Sequence, residues 1–286
     1  MRVSAPATDT AAGARLPILL LNHGQGFSNY LSSLEGYVPT ANFWAMHGFA
    51  VIQPTHLSSR SLSLEWPEGK ELYWQSRATD MSFIVDNLSA VEEGVPFLKG
   101  RLDHDKVVVV GHSFGAFAAS TLLGLTNTDP RDSSVFKGYD PRIKAGVVIG
   151  GTGNGGSDLS ENGRKIVPFY GPDFSTMVSP ALVVIGNEDV SPHLTTRGAD
   201  WHGDPYSLAP GPKALLTIKG CHHGFGGLSG PDAAETRDES PERLAVVQRM
   251  VWAWLWSRVN GENRAWEAAC KALEGVQGLG SVESKE

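Results

Sequence analysis

Ser113 stands between Gly111 and Gly115 in the stretch VVVVGHSFGAFAAS, residues 107–120. A serine hydroxyl becomes a useful nucleophile only when it is held clear of its neighbours and given a base. Four valines precede it and read as a short buried strand, while Ala116, Ala118, Ala119 and Ser120 read as the start of a close-packed helix. The serine therefore falls on a sharp strand-to-helix turn. Such a turn crowds its flanks, needs glycine two positions to either side, and lifts the hydroxyl off the sheet. A serine so placed calls for a base, an acid to orient that base, and amide donors for an oxyanion.

Each has a candidate directly after a strand-like run. LPILLL (16–21) leads into Asn22-His23-Gly24-Gln25-Gly26, where two glycines let the backbone bend and aim N–H groups inward. The candidate oxyanion donors are the Gln25 and Phe114 amides. PALVVI (180–185) leads into Gly186-Asn187-Glu188-Asp189, where Asp189, or alternatively Glu188, would orient a histidine. ALLTI (214–218) leads into Lys219-Gly220-Cys221-His222-His223-Gly224, which offers two adjacent histidines as base. Cys221 lacks a comparable turn and reads as a packed thiol. The order is serine, acid, histidine, and its agreement with three strand ends is more specific than Gly-x-Ser-x-Gly alone. The chemistry implied is acyl transfer to water through an acyl-enzyme, with no metal or cofactor.

The elements that must position these residues alternate between strand and helix. Further strands are expected at Phe49–Gln53 and Ile143–Ile149, and helices at Tyr37–His47 and Leu72–Glu93, where Met81, Ile84, Val85 and Leu88 share a face. Residues 125–141 read as a turn-rich insertion and GGTGNGGSDLSENG (150–163) as a flexible loop. Ser240-Pro241 starts a helix, with Ser as N-cap and Pro in the first turn, and a second helix spans about Arg264–Leu273. The fold class is α/β: a mostly parallel central sheet with helices on both faces. Residues 1–14 read as a flexible segment in which MRVSAP could form a short edge strand. One domain is expected over 15–275, followed by a tail over 276–286. In such sheets the chemistry gathers at the carboxyl ends of the strands.

Composition narrows the classes. The 286 residues are 41% hydrophobic and 19% charged, a globular balance, and the net charge is −7. There is no basic run of the kind that attracts nucleic acid, and no apolar stretch long enough to span a bilayer. The N-terminus lacks the continuous apolar segment of a secretion signal, so the expected location is cytoplasmic. Cys221 and Cys270 read as free thiols, the alternative being a bridge between them. The tryptophan-dense VWAWLW (251–256) reads as a helix docked on the core; homodimer or membrane contact is expected only if it is exposed.

With these residues placed, the chain resembles the α/β-hydrolase superfamily over nearly its whole length. Within it, the chain is similar to platelet-activating-factor acetylhydrolase-like, dienelactone-hydrolase-like and chlorophyllase-like esterases. The segments that carry the resemblance are NHGQG, HGFAVIQPTH (47–56), RLDHDKVVVVGHSFGA (101–116), DPRIKAGVVI (140–149), GNEDVSP (186–192) and GCHHGFGG (220–227). The resemblance implies an α/β-hydrolase fold, serine esterase activity, and a base at His223, since the family's G-x-x-H before F-G-G lands there. It also implies oxyanion donors at Gln25 and Phe114. Dienelactone hydrolases proper carry cysteine where this chain has Ser113. Related polyester hydrolases often carry a disulfide beyond the histidine, whereas here Cys221 precedes it. The expected catalytic set is Ser113, Asp189 and His223, acting on a small-molecule ester. Phe27, Trp74, Phe169, Tyr170 and Phe225 are expected to line an apolar substrate pocket. A lactone or amide could be cleaved by the same triad, and a non-catalytic small-molecule receptor is the remaining class.

Overall fold

The runs of branched aliphatic residues form strands buried on both faces. The computed structural model describes residues 1–7, 15–276 and 278–286. Its strands are β1 (Arg2–Ser4), β2 (Leu16–Asn22), β3 (Ala50–Gln53), β4 (Leu102–His112), β5 (Thr126–Thr128), β6 (Val135–Lys137), β7 (Ile143–Ile149), β8 (Pro172–Asp173), β9 (Ala181–Gly186), β10 (Lys213–Ile218) and β11 (Gly280–Lys285). The helices are α1 (Val38–Met46), α2 (Trp74–Asp86), α3 (Leu88–Gly94), α4 (Phe114–Leu122), α5 (Glu161–Ile166), α6 (Asp204–Ser207), α7 (Pro241–Asn260) and α8 (Arg264–Glu274). One eight-stranded sheet runs in the order β1-β3-β2-β4-β7-β9-β10-β11. The strands from β3 through β10 in that order pair in parallel, and the two edge strands, β1 and β11, pair antiparallel. The fold is thus α/β with a mostly parallel central sheet.

Alternation along each strand divides the core in two. Ile18, Leu20, Val107 and Val109 face the layer of α2 and α4, while Leu19, Leu21, Val108 and Val110 face the layer of α1 and α7. Val107–Val110 are fully buried. Burial of a side chain of this size is worth roughly 1.5–3 kcal/mol, so this central strand anchors both layers. Helix α7 begins as its sequence suggests, with Ser240 Oγ accepting from the Arg243 amide and Pro241 in the first turn. Trp254 is buried against the sheet, and Trp252 and Trp256 stack half-buried beside it, so the tryptophan-dense segment is docked on the core. No helix among the described residues is long and apolar enough to cross a membrane.

Four segments differ from the sequence expectation. The loop expected over 150–163 runs into α5, whose start is capped by Ser160 Oγ accepting from the Gly163 amide. The helix expected over 72–93 is divided at Asn87, whose side chain donates to the Phe83 carbonyl, and Leu72 and Tyr73 stand at positive φ before α2 starts. The turn-rich insertion holds β5 and β6, which join β8 in a small antiparallel sheet. The expected C-terminal tail contains β11, paired along its length with β10. That pairing satisfies backbone groups that β10 would otherwise leave bare at the sheet edge. Arg2–Ser4 does form an edge strand, while residues 8–14 of the expected N-terminal segment lie outside the described residues.

Candidate active site

Ser113 occupies the turn between β4 and α4 at φ 56° and ψ −123°, a conformation side chains rarely adopt. The flanking glycines serve two different contacts. A Cβ on Gly111 would collide with the Gly115 carbonyl, so only glycine lets α4 fold back over the strand end. A Cβ on Gly115 would collide with the carbonyls of Asn22 and His23, so only glycine lets the loop after β2 lie against α4. The Ser113 amide donates to Ile149 O at 2.9 Å, tying the turn to β7.

That neighbouring loop is fixed peptide by peptide. His23 Nδ1–H donates to Gly24 O at 2.7 Å, which holds the peptide that carries the Gln25 N–H. His23 Nε2 accepts from the His56 amide at 3.2 Å, so the tautomer is set. Burial, reinforced by the charge of Arg77, holds the His23 pKa well below its ordinary value, and the ring is neutral at physiological pH. The Gln25 and Phe114 amides have no protein acceptor among the described residues, and both residues line the same cavity as Ser113. Phe114 is the first residue of α4, where an N–H cannot be satisfied within the helix and where the helix dipole favours negative charge.

The acid and base come from the ends of β9 and β10. His223 Nδ1 lies 2.9 Å from Asp189 Oδ2 and 3.1 Å from Oδ1, and the Asp189 side chain is fully buried. Burial draws the His223 pKa down, but the charge and hydrogen bond of Asp189 outweigh it and hold the pKa above the ordinary value. Burial likewise opposes ionisation of Asp189, yet His223 holds its pKa below the ordinary carboxylate value. With Nδ1 engaged, Nε2 is the ring nitrogen left for proton transfer.

His112, inside the elbow, links the parts. The Gly24 amide donates to Tyr37 Oη at 2.9 Å, Tyr37 Oη–H donates to His112 Nδ1 at 2.7 Å, and His112 Nε2–H donates to His223 O at 2.9 Å. Burial lowers the His112 pKa to about 3 and raises that of Tyr37 to about 12, so both are neutral and the direction of the chain is unique. Sequence reasoning passed over His112, though it lies within the elbow itself. It also passed over His202, whose Nδ1–H donates to Gly151 O at 2.6 Å and whose Nε2 lies 3.5 Å from Asp189 Oδ1.

Asp189, His202 and His223 offer three ligating atoms within 4.8 Å of one another, a cluster that no zinc-type spacing in the sequence announces. Both Nδ1 hydrogens are already committed, one to Asp189 and the other to a backbone carbonyl, and Ser191 Oγ lies 3.3 Å from His202 Nε2. These bonds engage the carboxylate and both Nδ1 atoms from within the protein. The arrangement fits a carboxylate steadying an imidazole without requiring an ion.

The cavity over Ser113 and His223 measures about 540 Å³. Leu72, Leu159, Ile166, Val167, Leu194 and Trp201 supply much of its wall. Of the aromatics expected there, Phe27 lies at the wall with 63% of its surface exposed and Tyr170 lines it from within. Trp74, Phe169 and Phe225 are not in the lining. Trp74 and Phe169 stack on each other inside the core at 4.8 Å, and Phe225 packs beneath Gly150 and against His112. Their loops reach the site, but their rings turn into the hydrophobic layers. Glu188 and His222, the alternatives for acid and base, pair with each other at the surface at 3.2 Å. Cys221 is a buried free thiol whose pKa burial pushes far up, and Cys270 is also free.

No protein-family model matches this chain, and a search of curated proteins finds no match.

Proposed function

We propose that the chain is a serine hydrolase of the α/β-hydrolase fold that cleaves carboxylic esters. The observation that carries this reading is the convergence on one cavity of a strained serine elbow, two unpartnered amides and an imidazole held by a buried carboxylate. Ser113 Oγ attacks the ester carbonyl while His223 Nε2 takes its proton. The Gln25 and Phe114 amides hold the oxyanion of the tetrahedral intermediate. Asp189 keeps His223 in the Nδ1–H tautomer and stabilises the imidazolium. His223 then gives its proton to the departing alkoxide, leaving Ser113 acylated. Water, deprotonated by the same nitrogen, attacks the acyl-enzyme, and Ser113 Oγ leaves with the proton returned. The apolar wall favours substrates with an uncharged acyl or aryl group.

The test is hydrolysis of p-nitrophenyl esters from acetate to octanoate by the wild type and Ser113→Ala. Turnover that falls at least ~10⁴-fold in the variant supports the reading, by the scale of other triads, and the chain-length profile sizes the pocket. Equal rates in both proteins overturn it.

A further inference from the structure

Arg77 lies on α2 with none of its surface exposed. Among the described residues its guanidinium contacts only neutral groups. Nη1 donates to His23 O at 2.6 Å, Nη2 donates to Gln25 Oε1 at 3.0 Å, and Nε and Nη2 both donate to Ser58 Oγ, at 3.0 and 2.7 Å. Its carbon stands 4.6 Å from the centre of the Phe114 ring. Among the described residues no carboxylate lies within ion-pair distance, and Asp80 attracts it only through space. Burial lowers its pKa to about 9, which leaves it charged at neutral pH.

A buried cation without an anion is costly, and proteins ordinarily pair one. Here the two residues whose amides would receive the oxyanion, Gln25 and Phe114, both touch it. The His23–Gly24 peptide is clamped at each end, its oxygen by Arg77 and its nitrogen by Tyr37. We propose that Arg77 is the positioning residue of the oxyanion hole, fixing the Gln25 and Phe114 amides, with the negative charge it lacks at rest arising on the tetrahedral intermediate. This rests on the serine-hydrolase reading. A neutral substrate carbonyl gains little from such a charge, whereas the developing oxyanion gains much in a site of low polarity.

The experiment compares the wild type with Arg77→Met, Arg77→Lys and Ser58→Ala, the last removing a support of the guanidinium without touching the Gln25 loop. For each, kcat and KM are measured on the best p-nitrophenyl ester. Inhibition constants are measured for an alkyl boronic acid, which forms a tetrahedral adduct on serine, and for the ether analogue of the ester, which cannot. Thermal melting identifies the variants that fold. Arg77→Met is expected to lower kcat and weaken the boronic acid together, by up to roughly 10²–10³-fold, the scale of a lost oxyanion donor, with KM and the ether within about threefold. Arg77→Lys keeps the charge but not the fork and should fall between, and Ser58→Ala should lose several-fold in the same direction. If Arg77→Met fails to fold, the other two decide by the same pattern. A folded set in which kcat stays within threefold, or in which boronic acid and ether weaken equally, overturns the proposal while Ser113-dependent turnover keeps the hydrolase reading. Ser113→Ala as active as the wild type overturns both.

Discussion

Two acid–imidazole pairs stand next to each other in this chain, Asp189 with His223 and Glu188 with His222. They use the same chemistry and come from the same two loops, yet they differ in surroundings. Both partners of the outer pair are about half exposed, at 53% and 52%, with a separation of 3.2 Å. In the inner pair the acid is wholly buried, the imidazole is 40% exposed toward the cavity, and the separation is 2.9 Å. Water screens the outer pair, and pairs of that kind contribute roughly 0–1 kcal/mol. Burial leaves the inner carboxylate little to attract besides His223, His202 and His112, so it fixes one tautomer of His223 and shifts its proton affinity. Proximity of acid to base is common to both pairs. Burial of the acid and access of the base to a cavity belong to one of them.

The sharpest way to break this comparison is Asp189→Asn. It keeps the shape of the acid but removes its charge and can hold the wrong tautomer. A fall in kcat of about 10³–10⁴-fold is expected, as in other triads, and a loss under tenfold would show that burial of the acid is incidental. The next test is pH. In the proposed mechanism His223 must be neutral to accept the serine proton, and its pKa is held above the ordinary histidine value of 6.5. Activity should therefore be full at alkaline pH and be lost as pH falls through a midpoint above 6.5. In Asp189→Asn the upward influence of that charge is gone and burial is opposed only by the smaller pull of Asp238, so the residual activity should show its midpoint at lower pH. A pH–kcat/KM profile of both proteins checks the sign, and an unmoved midpoint would contradict it. The smallest effect belongs to the outer pair. Glu188→Gln and His222→Ala should each leave kcat/KM within about twofold, and a larger fall would mean that the two pairs act as one.

Much of the scaffold could be read from local pattern. The runs LPILLL, KVVVV, PALVVI and ALLTI are all strands, because short branched aliphatic runs suit a sheet covered on both faces. The helix after Ser240-Pro241 starts where cap chemistry puts it. Less could be read where two local signals competed. Asn87 interrupts an otherwise periodic helical pattern, and the polar GSVESK becomes a strand only because β10 offers it an open edge. Within the candidate site, Ser113, Gln25 and the loops that carry the acid and the base could be named from their places after strands, while the preference for His223 over His222 came from the family resemblance. Arg77 could not, because a lone arginine in a helical pattern ordinarily reads as a solvated side chain. The destination of its guanidinium depends on a loop more than fifty positions earlier.

The aromatic residues draw the same boundary. Phe27 and Tyr170 reach the cavity while Trp74, Phe169 and Phe225 fill the layers beneath it, although all five lie near loops at the same end of the sheet. The sequence by itself determined where the six parallel strands of the central sheet lie, that glycines frame a strained serine, and the order of serine, acid and histidine. Those features rest on interactions among residues close in the chain: alternation, turn sterics and caps. Only the tertiary structure decided which of two adjacent acids and which of two adjacent histidines turn inward, which rings face the cavity, and that Arg77 lies beneath the amides of Gln25 and Phe114. In a loop the direction of a side chain follows no local period, and it is set by what the distant elements leave room for.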